Sequence, residues 1–209
     1  MARELTGPVC RMCRRERMKL FLKGAKCDTM KCPIERRPYP PGEAGRNRQR
    51  QGSEYLLQLR EKQKARRIYG LMEKQFSRTY QEANRRQGVT GENLLQLLEL
   101  RLDNVVFRAG WGSSRAQSRQ FVRHGHIKVN GKRVTIPSYT LRKGDVVSLS
   151  DKGRKMIVIR HNIDTLDRIA PQWLEVNAGE FQATVRDLPL REQIDVPVRE
   201  QLIVELYSK

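Results

Sequence analysis

The chain has 209 residues, 38% of them apolar and 31% charged, and its 42 Lys and Arg outnumber 23 Asp and Glu for a formal net charge of +19. That length suits one large domain or two small ones. No apolar run reaches the ~20 residues of a membrane-spanning helix, and the opening Met-Ala-Arg-Glu-Leu lacks a signal-peptide core, so a cytosolic protein with no membrane partner is expected.

The charge asks for a polyanion, with nucleic acid the main candidate. It is uneven: +12 over residues 1–100, +11 over 101–160 and −4 over 161–209. The last stretch is therefore not expected to lie on phosphate.

All four cysteines fall in the first 32 residues, as Cys10-x2-Cys13 and, thirteen residues on, Cys27-x4-Cys32. Two thiol pairs joined by a loop long enough to fold back have the spacing of a tetrahedral metal site, although the second pair is looser than the usual two-residue knuckle. Two disulfides or four unligated thiols are the alternatives, and a reducing cytosol disfavours the first. Zinc is expected, with an iron-sulfur cluster as the alternative. A segment this short has no apolar core of its own, so metal binding would supply most of its folding free energy.

Pro38-Tyr39-Pro40-Pro41-Gly42 rules out regular structure, and Arg46, Arg48 and Arg50 follow at every second position. Such a connector is either a flexible linker or a segment moulded on RNA, and the arginine spacing favours the second. Ser53 caps a predicted helix over 54–69, with Leu56 and Leu59 inward and Arg60, Lys62, Lys64, Arg66 and Arg67 mostly outward, ended by Gly70. In the next helix Phe76, Tyr80 and Ala83 recur at helical spacing and read as core in preference to a base-stacking strip. A third begins at Thr90 with Leu94, Leu97, Leu98 and Leu102 on one face. The first part of the chain thus predicts a small helical bundle.

Ser113 and Ser114 cap a helix in which Arg115, Arg119 and Arg123 recur every four residues, which predicts three guanidiniums along one outward face while Ser118, Phe121 and Val122 pack inward. Gln117, Gln120, His124 and His126 are placed to add donors. Ile127–Val129 alternates as a strand, and Asn130-Gly131 supplies the positive-φ pair of a type I′ turn with Lys132 and Arg133 just past it. Residues 101–160 hold 14 Lys and Arg against 3 Asp and Glu, a single-sign density that points to RNA or DNA more than to a solvated face. Further strands are expected at 134–136, 139–141, 146–149, 157–160, 173–176 and 181–185, and a short helix at 162–168. Trp173 reads as core. Leu202, Ile203, Leu206 and Tyr207 lie at helical spacing, and this last helix is expected to return to the bundle.

Arg101-Leu102-Asp103, Ser114-Arg115-Ala116, Arg119, Val122, Gly125, Val129-Asn130-Gly131, Pro137 and Gly144-Asp145 resemble the αL-type RNA-binding motif named after small-ribosomal-subunit protein four. Gly7-Pro8, Arg14-Arg15-Glu16, residues 59–70, Gln75-Phe76, Thr90-Gly91, residues 100–106 and the ending 200–209 resemble the bacterial form of that protein family from end to end. The fold this implies is α+β: a metal finger with basic connector over 1–45, a helical bundle over 46–100 completed by a helix at 197–209, and an αL-type domain with an antiparallel sheet over 101–196. Some family members lack the cysteines, so Cys10, Cys13, Cys27 and Cys32 would mark a metal-bearing variant.

The resemblance implies direct binding to 16S ribosomal RNA early in small-subunit assembly. RNA contacts are expected from Arg14, Arg15, Arg36, Arg37, Arg60, Lys62, Lys64, Arg66, Arg67, Arg115, Gln117, Arg119, Gln120, Arg123, His124, Lys128, Asn130 and Lys132. It further implies that Arg46, Arg48 and Arg50 line the place where messenger RNA enters, and that Glu200, Glu205 and Tyr207 meet a neighbouring small-subunit protein, notably protein five, at a boundary linked to decoding accuracy. An enzyme fits poorly. The sequence has no Gly-rich phosphate loop, Gly-x-Ser-x-Gly elbow or His-Glu-x-x-His, and no small-molecule substrate is expected.

Overall fold

The computed structural model describes residues 7–46, 52–166 and 168–208. Its elements run α1 (Val9–Glu16), α2 (Pro33–Arg36), α3 (Glu54–Ile68), α4 (Glu73–Arg85), α5 (Thr90–Glu99), α6 (Leu102–Arg108), α7 (Arg115–Arg123), β1 (Ile127–Val129), β2 (Lys132–Arg133), β3 (Val146–Leu149), α8 (Asp151–Arg154), α9 (Ile157–Thr165), β4 (Leu174–Asn177), β5 (Gln182–Val185) and α10 (Glu200–Ser208). They belong to two compact units, Met1–Leu94 with Pro197–Lys209, and Leu95–Val196. No helix among the described residues is long and apolar enough to cross a membrane.

In the first unit, α3 starts where the Ser53 hydroxyl accepts a hydrogen bond from the Leu56 amide at 3.3 Å, and Gly70 follows it at φ +67. Its buried face is Gln58, Lys62, Ala65 and Ile68, whereas Leu56 is 40% exposed. This corrects the inward Leu56 and the outward Lys62, while Leu59 is half-buried. The Lys62 stem packs inside and its ammonium reaches Glu73 Oε1 at 2.6 Å, while Gln58 Nε2 donates to Glu205 on α10 at 3.0 Å. A polar face paired in this way packs as an apolar one would, and apolar periodicity cannot reveal it.

The Tyr207 ring stacks on Tyr80 with centroids 4.4 Å apart, and its hydroxyl donates to Glu73 at 3.0 Å. Tyr207 is thus half-buried and directed into the unit. Burial, followed by the Glu73 charge, pushes the Tyr207 phenol above its ordinary value. Burial also raises the Glu73 carboxyl, but its hydrogen bonds from Lys62 and Tyr207 and the charges of Lys62 and Arg66 outweigh this and leave it depressed. A depressed carboxyl contributes stability above its unfolded pKa and loses it as pH falls through the folded one. The docking of α10 is therefore expected to weaken below about pH 4, and Glu73→Gln should remove that acid dependence. Tyr207 ring resonances followed by NMR across the titration check both.

The second unit closes on an antiparallel sheet of order β2-β1-β3-β5-β4, with Trp111, Val122, Ile127, Leu149, Trp173 and Val185 among its buried core. Asn130 and Gly131 take φ +48 and +77, as the type I′ turn requires. The expected strand at 157–160 is instead the first turn of α9. Ile157, Val158 and Ile159 are β-branched, but Ile159 and Asn162 are buried three residues apart, and Asn162 Nδ2 donates to the Trp111 carbonyl at 3.0 Å. Tertiary packing overrides their β propensity. Of the strands expected at 134–136 and 139–141, only a single bridge between Arg101 and Thr140 is present.

Candidate nucleic-acid interface

The cysteine segment is held by backbone turns and very little core: Cys13, Leu20, Gly24, Cys27 and Cys32 are its buried residues. All four thiols are free and line one small cavity with Val9, Leu22, Lys23, Lys26, Pro33 and Ile34. The Lys23 amide donates to Cys27 Sγ at 3.3 Å. Burial pushes the Cys13 thiol up; a backbone hydrogen bond from Leu20 lowers it, and Cys27, Cys10 and Cys32 raise it again. Convergent thiols with amide donors are a donor set suited to a thiophilic ion. No group of three or more His, Cys, Asp or Glu among the described residues is gathered closely enough to hold an ion as it stands.

Around this segment, Arg15, Arg36 and Arg37 are exposed. Arg14 is turned instead to the connector, where its Nε donates to the Tyr39 carbonyl at 3.0 Å. Arg46 donates to the Tyr39 hydroxyl at 2.9 Å, and both guanidiniums lie 4.9 Å from the ring centroid. The Arg46 hydrogen bond lowers the Tyr39 phenol below its ordinary value. The connector is therefore tied to α1 up to Arg46, where one 3-10 turn forms despite the Pro-Gly run. Arg48 and Arg50 lie outside the described residues. On α3, Arg60 and Arg67 are half-buried on Glu16, Lys64 pairs with Glu61 at 2.7 Å, and Arg66 reaches Glu73 at 3.3 Å.

In the second unit the arginine helix starts at the Ser114 cap, whose hydroxyl accepts from the Gln117 amide at 3.3 Å. Its cations divide into an inner and an outer set. Buried Asp103 takes two hydrogen bonds from Arg101, at 3.1 and 2.8 Å, and one from Arg119 at 2.9 Å. Arg115 Nε donates to Asn104 Oδ1 at 2.8 Å, and its guanidinium lies 4.4 Å from the Phe107 ring centroid. Asn104 and Arg108 both donate to the fully buried Glu99 carboxylate. Arg115 and Arg119 therefore do not face outward along the helix; two acceptors from α6 draw them in.

Gln117 is likewise committed inward. Its Oε1 accepts from the Ser113 amide at 2.6 Å and from Asn162 at 3.2 Å. Both ends of the Asn130 amide bridge the hairpin to Asp145 and the Val146 amide at 2.9 Å, so this side chain holds the turn and keeps one N–H of its amide to spare. The outer set comprises exposed Gln120, Arg123, His124 and Lys132, with Lys128 half-buried and 3.4 Å from Asp151. The His124 and His126 rings lie 6.2 Å apart. Burial lowers His126, and the charges of His124, Arg133 and Lys152 lower it further. Gly125 takes φ +74, a left-handed conformation that strains any residue with a side chain, and a Cβ there would also displace the Arg133 guanidinium.

The sequence assigns no role to several residues of these networks. Glu16, Glu99 and Asp103 are acids in basic surroundings, a local signal that could have been read. Arg168 could not have been found this way, because its partners, the Gly112 and Ser113 carbonyls at 2.9 and 2.6 Å, lie more than fifty residues away.

An internally neutralised scaffold that presents an outer layer of cations defines a nucleic-acid-binding protein. Comparison with known proteins narrows the class. Residues 4–99 match the Ribosomal protein S4/S9 N-terminal domain and residues 100–147 the S4 domain. The chain is 59% identical over 211 residues to small ribosomal subunit protein uS4 of Acidothermus cellulolyticus, covering all of both chains. It is 57% identical over 204 residues to that of Thermoanaerobacter sp. (strain X514) and 59% over 205 to that of Dictyoglomus turgidum, with 98% of each chain covered in both cases. The chain belongs to the small ribosomal subunit protein uS4 family, whose members are structural RNA-binding proteins and not enzymes.

Proposed function

We propose that this chain is a structural constituent of the small ribosomal subunit in the cytoplasm, binding 16S ribosomal RNA directly and nucleating assembly of the subunit body. The end-to-end identity to proteins named for that subunit carries the reading, and the outer cations supply its physics. Each lysine or arginine set on a phosphate releases counterions, while helix and hairpin surfaces fit RNA by shape. Contacts are assigned to Arg15, Arg36 and Arg37, to Arg60, Lys64, Arg66 and Arg67, and to Gln120, Arg123, His124, Lys128 and Lys132. Sedimentation of cell extracts should place one copy in each mature small subunit; a chain found only on immature particles would contradict a structural role.

Cys10, Cys13, Cys27 and Cys32 would hold one zinc ion. The convergence of all four thiols on one cavity supports this, and the ion would act as a redox-silent clip for residues 8–36. Elemental analysis should find one zinc and no visible absorbance. Iron with sulfide would assign a cluster instead. Exposed Arg46, with Arg48 and Arg50 beyond it, would face incoming messenger RNA, and exposed Glu205 on α10 with Glu200 would meet protein five, through which the chain would influence accuracy.

A further inference from the structure

The last residue of α1, Glu16, has a side chain only 4% exposed, and one of its oxygens, Oε1, accepts from both Arg60 Nη2 and Arg67 Nη1. These arginines stand seven residues apart, two turns along one face of α3. A shared acceptor sets two like-charged guanidiniums side by side. Each spends one of its donors on Glu16 and keeps the others, and their side chains are 24% and 18% exposed. Burial lowers the Arg67 guanidinium, Glu16 raises it, and Arg60 and Arg66 lower it again, so without Glu16 only repulsion would act between the two cations.

We infer that Glu16 is a positioning residue that holds Arg60 and Arg67 together as a paired fork for a single RNA phosphate. The inference rests on the proposed RNA contact of α3. It also gives the cysteine segment a role toward RNA, because Cys13 and Glu16 lie on the same eight-residue helix: fixing α1 fixes the fork.

The sign of one substitution separates positioning from simple neutralisation. Glu16→Gln raises the net charge by one. If Glu16 only competes with phosphate for the arginines, the variant binds RNA more tightly; if it positions them, the variant binds more weakly. Filter binding of the full chain to small-subunit ribosomal RNA across a potassium chloride series should show affinity reduced roughly tenfold. The salt slope should fall by about one unit in R60A/R67A, since one phosphate is released, and adding E16Q to R60A/R67A should change nothing further.

Unchanged or tighter binding by E16Q, or an equal loss in both backgrounds, overturns the inference while the α3 contact stands. Unchanged affinity and slope in R60A/R67A refutes the α3 contact itself. R60K/R67K tests the fork with Glu16 intact, so a misfolded E16Q does not end the matter: lysine keeps the charge but not the planar donor pair, and it should weaken binding with the slope preserved. Wild-type affinity in R60K/R67K overturns the inference.

Discussion

Asp103→Ala is expected to lower the unfolding free energy of the Leu95–Val196 unit by about 3–5 kcal/mol, the cost of leaving buried charge without its partner. The Arg101 and Asp103 side chains are each 6% exposed and Arg119 is 12% exposed. Removing the carboxylate strands two guanidiniums where water cannot reach them fully. Urea denaturation followed by tryptophan fluorescence measures the loss, since Trp111 and Trp173 both lie in this core. Arg101→Met combined with Asp103→Leu should be milder than Asp103→Ala alone, because it removes the more deeply buried of the two guanidiniums together with the carboxylate and leaves only Arg119. A loss under about 1 kcal/mol for Asp103→Ala would mean that the pair behaves as a surface ion pair.

Withdrawal of the proposed zinc ion is the second change with a large expected effect. Structural zinc contributes on the order of 10–16 kcal/mol to the folding of small thiolate domains, and residues 8–36 have little to set against its loss. The eight-residue α1 is too short to persist alone, and few of its neighbours are buried. Chelation should therefore abolish amide-exchange protection over 8–36 while leaving that of β1, β3 and β5 unchanged. Protection in the cysteine segment that survives chelation would show that the fold there does not depend on an ion.

The sequence and the structure agree where local chemistry decides the outcome. Ser53 and Ser114 cap their helices, Asn130-Gly131 makes its turn, and Phe76, Tyr80 and Trp173 are core, because each signal lies within a few residues of its effect. Disagreement begins where partners come from elsewhere in the chain. Lys62 reads as solvent-facing until Glu73 is seen beside it, and the burial of Gln58 depends in the same way on Glu205. Arg115 and Arg119 read as an outward stripe because a four-residue repeat defines a helix face but not which side α6 covers. The residues 157–160 read as strand because β-branched propensity carries no knowledge of Trp111 or Gln117 waiting for Asn162. For the candidate interface the consequence is specific: the basic composition was legible, but which cations are drawn into the scaffold and which are exposed required the fold.

The salt dependence of RNA binding distinguishes the inner cations from the outer ones. Association with small-subunit ribosomal RNA should weaken steeply with potassium chloride, with a log-log slope of about −5 or steeper for six or more phosphates. Arg123→Ala and Lys132→Ala should each flatten it by about one unit, whereas Arg119→Ala should cost stability and leave the slope in place. A shallow slope in the wild-type chain, or a flattening by Arg119→Ala with none from Arg123→Ala and Lys132→Ala, would contradict the account.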